Sequence, residues 1–206
     1  MIKKEARLEL IVGTMFGGKS TELIRRVKRY EIVGRNVQVF GPSIDTRYGQ
    51  DSITSHDKMQ REANYISSAQ ELEQHLSPDT QVIGIDEVQF FDSSIIETCE
   101  KYANQGKIVI AAGLLKDFRD EYFPFKGGKK NMSDLLRVAD TTTLLTAICD
   151  AKNGSGEICG SDATRVQRYI NGEVAPHDSP VVLVGGKQDY APRCRQHYQF
   201  YNNQRE

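Results

Sequence analysis

Residues 8–20 read LELIVGTMFGGKS, and the fold follows from how they are read. A run of mostly β-forming residues, Leu8 to Val12, stops at Gly13. Thr14, Met15, Phe16, Gly17, Gly18, Lys19 and Ser20 then complete the pattern G-x-x-x-x-G-K-[ST], with the flanks it requires, a strand before and a helical pattern after. Gly13 and Gly18 let the chain turn back so that backbone N–H groups surround phosphate oxygens, and the next helix points its N-terminus at the same anion. Lys19 would reach the β- and γ-phosphates, and the Ser20 hydroxyl would ligate Mg²⁺. The alternative is a glycine-rich strand-to-helix turn without a ligand; the two flanks favour nucleotide phosphate binding.

Downstream, Leu23, Ile24, Val27 and Tyr30 recur at helical spacing and Gly34 is a stop signal, so a helix is expected over 21–33. Residues 36–40 alternate like a strand. Residues 41–64 are polar and aperiodic, a long loop of the kind that serves function or moves. Helices are expected over 68–76 and 94–102, with capping boxes from Ser68 and Glu71 and from Ser94 and Glu97. Strands are expected at 81–85, 107–112 and 141–147, and a short helix at 133–140. This alternation implies an α/β fold with a mostly parallel sheet covered on both faces. From Cys149 onward the character changes: Asn171-Gly172 signals a hairpin, 181–184 reads as a strand, and no helical period appears. The expected division is a P-loop domain over 1–148 and a small β-rich domain over 149–206.

A second stretch fits the first. In VIGIDEVQFF, residues 82–91, apolar residues run into acids at the strand's C-terminal end, the form of a Walker B strand, and that end faces the ligand crevice of an open α/β sheet. Asp86 would hold Mg²⁺, directly or through water, while Glu87 points differently and could take a proton. The bland reading is two solvated acids at a strand end, but pairing with the P-loop makes the motif strong. Phosphoryl transfer relies on positioning and charge stabilisation, so a kinase would need its base beside the γ-phosphate, where Glu87 would be.

Composition narrows the classes. A chain of 206 residues can hold one substantial core, and a net charge of −1 with pI ≈ 6.4 does not suggest a non-specific nucleic-acid surface. No apolar run suits a membrane span, and MIKKEARLEL lacks the apolar core of a secretory signal. Four cysteines do not make a disulfide scaffold, and a cytosolic location is expected.

With these motifs in order, the chain resembles the cytosolic, type II thymidine kinases, which combine a RecA-like domain with a zinc-bearing lasso. The resemblance covers nearly the whole chain and rests on GTMFGGKST, PSIDTRY followed by SH, IDEVQFF, GLLKDFRDEYFPF, LTAIC, VVLVGGKQDY and CRQHY. It implies ATP-dependent phosphorylation of the 5′-hydroxyl of thymidine, with Glu87 as general base and residues 13–20 as the ATP loop. Asp86, Glu87, Val88 and Gln89, with Asp45, Thr46 and Arg47, match stretches lining the nucleotide site. Phe118 matches an aromatic stacked near the base, with Met15, Leu114, Phe90 and Phe123 as pocket walls. Val181, Val182, Leu183, Val184 and Gly185 resemble the lasso strand whose backbone reads the thymine edge, and Tyr190 matches a substrate-contacting tyrosine. Taken alone, Phe118 and Tyr190 would be ordinary core or surface aromatics. Arg47 and Arg119 could stabilise transferring charge; on their own both read as solvated surface residues. The resemblance also implies a homotetramer and raises thymidine triphosphate as a feedback inhibitor.

Cys149, Cys159, Cys194 and His197 form the candidate zinc set, a closed structural type with good Cys194-x2-His197 spacing. Nine residues, DAKNGSGEI, separate Cys149 from Cys159, where the family has a short knuckle. That Gly/Ser/Asp-rich segment either bulges out without moving the ligands or means that this half of the site has decayed. Cys99 reads as a buried apolar residue. Two other functions compete: a P-loop ATPase or switch whose zinc module binds a partner, and a kinase for another pyrimidine nucleoside such as deoxycytidine.

Overall fold

Apolar runs with no solvated face form strands that must be covered from both sides. In the computed structural model, which describes residues 6–43, 52–54, 60–182 and 188–200, they line up in one parallel sheet. The elements are β1 (Arg7–Gly13), α1 (Lys19–Ile32), β2 (Val37–Pro42), β3 (Ser52–Thr54), β4 (Gln60–Glu62), β5 (Asn64–Ile66), α2 (Ala69–His75), β6 (Val82–Ile85), α3 (Ser94–Asn104), β7 (Ile108–Leu114), α4 (Met132–Val138), β8 (Thr141–Leu145), β9 (Ala147–Ile148), β10 (Asp162–Ala163), β11 (Arg165–Ile170), β12 (Glu173–Val174) and β13 (Tyr190–Arg193), with a 3₁₀ turn at Val88–Phe90. The main sheet has the order β5-β2-β6-β7-β1-β8. Every pairing in it is parallel.

The side-chain period of two sorts each strand between two cores. On β1, Leu8, Leu10 and Val12 join α2, α3 and α4 through Leu72, Ile95, Cys99 and Leu135, while Ile11 faces the other way onto Leu23, Ile24 and Val27 of α1. On β7, Val109 and Ala111 go to the first core and Ile108, Ile110 and Ala112 to the second. Fully burying one such aliphatic side chain contributes about 1.5–3 kcal/mol. The α1 face leaves so little room that a Cβ on Gly84 would sit 3.2 Å from both Val27 and Val39. Where β1 ends, Gly13 lies between Leu114 and Leu145, and a Cβ there would fall 2.0 Å from the Leu145 carbonyl oxygen. Glycine is required at that point by close backbone approach.

Several local expectations need correction. Residues 41–64 are not simply loop: β3 pairs antiparallel with β4, and β5 extends the main sheet beside β2. Strands of three residues are too short for alternation to register. Ser68 does cap α2, accepting from the Glu71 amide at 3.2 Å, but the Glu71 carboxylate turns to the Ser67 amide at 2.7 Å. The box expected from Ser94 and Glu97 does not form. Asp92 accepts from the Ser94 amide at 3.0 Å instead, and Glu97 pairs with Lys130. The expected strand at 141–147 is broken at Thr146, where β8 leaves the main sheet's edge and β9 pairs with β10. Val181 and Val182 are not in a strand, and Leu183 and Val184 lie outside the described residues.

The C-terminal strands form their own sheet, β12-β11-β13, antiparallel throughout. Asn171 and Gly172, with φ of 53° and 84°, make the left-handed turn expected between β11 and β12. Among the described residues no helix is long and apolar enough to cross a membrane.

Candidate active site

The parallel registers bring the C-terminal ends of β1, β6 and β7 to one edge of the sheet, where open α/β folds hold their ligands. From Gly13 the chain enters a tight turn with Phe16 and Gly18 at φ 64° and 80°, then starts α1 at Lys19. Gly18 provides no side-chain cap to α1, so the first amides of the helix have no side chain from that position competing for them. Thr14 and Phe16 are engaged with the segment after β8. The Thr14 hydroxyl donates to the Ala163 carbonyl at 3.1 Å and accepts from the Ala147 amide at 3.2 Å, and Phe16 packs on the small core of Ala147, Cys149, Ala163 and Cys194.

Lys19 is buried, with Nζ donating to the Thr14 carbonyl at 2.8 Å. Burial pulls its pKa down, opposed by the charges of Glu87 and Asp86. Asp86, just past β6, is buried too. Desolvation first and the Glu87 carboxylate second push its pKa up to about 7, opposed by hydrogen bonds from the Ser20 hydroxyl and the Glu87 amide and by the charge of Lys19. Ser20 and Asp86 are therefore in contact, although 65 positions separate them in the sequence.

Glu87 takes a left-handed backbone, φ 48° and ψ 44°. Such a conformation costs a non-glycine residue of order 1 kcal/mol and persists only where the surroundings impose it. It separates the direction of this carboxylate from that of Asp86. Gln89, 1% exposed, fixes the result: its Nε2 donates to Glu87 Oε2 at 2.6 Å, and its Oε1 accepts from the Leu114 amide on β7 at 3.0 Å. Gly113 makes room for that amide oxygen, since a Cβ there would meet it at 2.4 Å. Val88 points into the main core.

The Phe90 amide donates to the Glu87 carbonyl at 3.1 Å, so an aromatic residue follows the second acid closely. Phe90 and Phe123 meet edge to face with centroids 5.7 Å apart, and Leu114 and Val181 pack on the same core. Phe118 and Tyr190 are both buried, and the Arg168 guanidinium stands 5.1 Å from the first ring and 6.0 Å from the second. Met15 is partly buried, and Val182 is 42% exposed. Arg119 is engaged with the buried Asp117, donating to its Oδ2 at 2.8 and 2.6 Å. Asp45, Thr46, Arg47, Leu183, Val184 and Gly185 lie outside the described residues.

The four zinc candidates converge, with one ligand atom from each within 4.8 Å of all the others. Cys159 and Cys194 have their Sγ atoms 3.9 Å apart, and His197 Nδ1 lies 3.3 Å from Cys194 Sγ and 3.7 Å from Cys149 Sγ. Tetrahedral zinc, with Zn–S near 2.3 Å and Zn–N near 2.1 Å, spaces its ligand atoms by about 3.5–3.8 Å, so the donor set fits the ion. The extra segment bulges out. Asn153 and Glu157 close a small turn, and the Cys159 amide donates to the Ala151 carbonyl at 2.8 Å, returning Cys159 to the cluster. Hydrogen bonds from Ser161 lower the Cys159 thiol pKa to about 6, towards the thiolate a metal requires. Cys99 is a core residue, its thiol pushed up to about 12 by burial.

Three features were not read from the sequence: the Gln89 clamp, Arg168 and Tyr198. On β11, Arg165 and Gln167 share one face and Arg168 lies on the other, yet all three are buried, at 7, 2 and 3% exposed. Nothing in their spacing signals burial. Tyr198 donates to the Phe118 carbonyl at 2.6 Å, and its signals are its place in CRQHY and adjacency to the candidate ligand His197.

A lysine buried beneath a glycine-rich loop, next to an acid two strands away that touches the following hydroxyl, is the arrangement of P-loop nucleotide-binding proteins, and the chain is of that class. A family model described as thymidine kinase matches residues 6–198, and the chain belongs to the thymidine kinase family. Among solved structures it is similar to the X-ray structure of the Legionella pneumophila ATPase DotB, with 13% sequence identity and a TM-score of 0.44, covering 74% of this chain and 43% of that one.

Proposed function

We propose that this chain transfers the γ-phosphoryl group of ATP to the 5′-hydroxyl of thymidine. Family membership supports a nucleoside and ATP as substrates. The observation that carries the mechanism is the divergence of two successive acids at the end of β6. Asp86 accepts from Ser20, where the two would hold Mg²⁺ that offsets phosphate charge; Glu87 accepts instead from Gln89. In this reading the amides of residues 13–20 and Lys19 bind the phosphates. Glu87 accepts the 5′-hydroxyl proton as the oxygen attacks in line, and Asp45, Thr46 and Arg47 complete the phosphate side. Phe118 and Tyr190, with walls from Met15, Leu114, Phe90 and Phe123, hold the base, and the backbone of residues 181–185 reads its edge. The four-ligand cluster would hold structural zinc, and the chain would divide functionally at 148/149. A cytosolic homotetramer, inhibited by thymidine triphosphate, completes the proposal by family resemblance.

Glu87→Gln tests the central role. It should keep ATP and thymidine binding within a few-fold while lowering turnover about 10²-fold or more, the usual size of a general-base contribution. Near-normal turnover would remove Glu87 from the chemistry.

A further inference from the structure

The zinc-ligand turn and the aromatic segment that follows β7 are joined by one buried hydrogen bond. In the turn, the His197 and Tyr198 amides donate to the Cys194 carbonyl at 3.2 and 3.0 Å, so Tyr198 sits in the same turn as two metal-ligand candidates. Its ring is 8% exposed, edge to face with Phe200 at 4.8 Å and 5.9 Å from the Arg165 guanidinium. Its hydroxyl reaches 80 positions back in the sequence to the Phe118 carbonyl at 2.6 Å. Strand β11 makes two more ties. Arg165 pairs with Asp120 at 3.2 Å, and Arg168 lies against the Phe118 ring at 5.1 Å while donating to the Pro180 carbonyl at 2.5 Å. Asp120 is left-handed at φ 64°, a backbone that has to be held. Phe118 is thus fixed by its carbonyl from the turn and by its ring from β11.

We infer that Tyr198 is a positioning residue for the nucleoside: it passes the geometry of the Cys149–Cys159–Cys194–His197 cluster to Phe118, so that the metal turn sets affinity for the base and not the rate of phosphoryl transfer. The inference rests on the reading above that Phe118 stacks on the base. It assigns the metal-bearing turn a role in recognition, beyond stapling the small module.

The test is Tyr198→Phe, which removes one oxygen and leaves a buried carbonyl without its donor. The thymidine KM should rise about 10-fold, while kcat, the ATP KM and the zinc content stay within about 2-fold of wild type, the scale of one lost buried hydrogen bond. In a Phe118→Leu background the same substitution should change the KM by less than about 2-fold, because the coupled partner is gone. Hydrogen exchange of residues 116–121 should quicken in Tyr198→Phe. It should quicken likewise when a chelator strips metal from the wild-type protein, a measurement that needs neither a variant nor activity. An unchanged KM with zinc retained, a full 10-fold effect in the Phe118→Leu background, or exchange insensitive to metal would each overturn the positioning role. Wild-type protein that binds no thymidine would instead overturn the kinase reading, and this inference with it.

Discussion

At the scale of single residues, the site depends on groups that hold others in place. Glu87 would be unremarkable in a relaxed backbone. Its left-handed conformation and its bond from Gln89 give it a direction that Asp86 does not share. Gln89 in turn is useful only because Gly113 leaves space for its side chain and the Leu114 amide needs an acceptor. Replacing Gln89 by Leu should lower turnover about 10-fold through a loosened Glu87, and cost about 1–3 kcal/mol of stability from the unpaired Leu114 amide. Steady-state kinetics with a urea titration would check both; wild-type turnover would mean that Glu87 is oriented without the clamp. The acids themselves were legible at the end of an apolar run. The clamp was not, because it depends on β7 lying beside β6, and adjacency in a sheet is not written in local pattern.

At the scale of elements, long periodic segments declared themselves and short ones did not. Residues 7–13 and 19–32 carry enough apolar positions for period and length to agree, and α1 falls within two residues of its expected ends. The three-residue strands β3, β4 and β5 offer no period to count. The cap of α3 went astray because Ser94 fits the sequence pattern, while Asp92, two residues earlier, holds the amide. Helix α1 also carries a pH signature. Hydrogen bonds from Arg25, aided by Arg26, lower the Glu22 pKa from 4.5 to about 2. A depressed carboxylate stabilises the fold above its unfolded pKa and loses that contribution as pH falls through the folded one. Wild type should therefore exceed Glu22→Gln in melting temperature at neutral pH, with the gap closing between about pH 4.5 and 2. A gap constant across that window would show that the pair contributes nothing, a real alternative for charges at a helix surface.

At the scale of the whole molecule, the C-terminal strands meet the glycine-rich loop. Thr14 bonds to Ala163 on β10, and Tyr198 bonds to Phe118, so the C-terminal strands and turn touch both the loop and the segment after β7. The candidate metal set was legible as residue types, but its closure across nine intervening residues was visible only in three dimensions. Metal analysis of the purified chain should give about one zinc per chain, as a single four-ligand site requires. A value far below one would leave the thiols without that role. The most direct test of the whole account is transfer of label from γ-labelled ATP to a panel of nucleosides. Labelled thymidine monophosphate should form in proportion to ATP consumed, ahead of deoxycytidine and the other nucleosides. Phosphate release at the same rate with or without thymidine, and no labelled nucleotide, would contradict it.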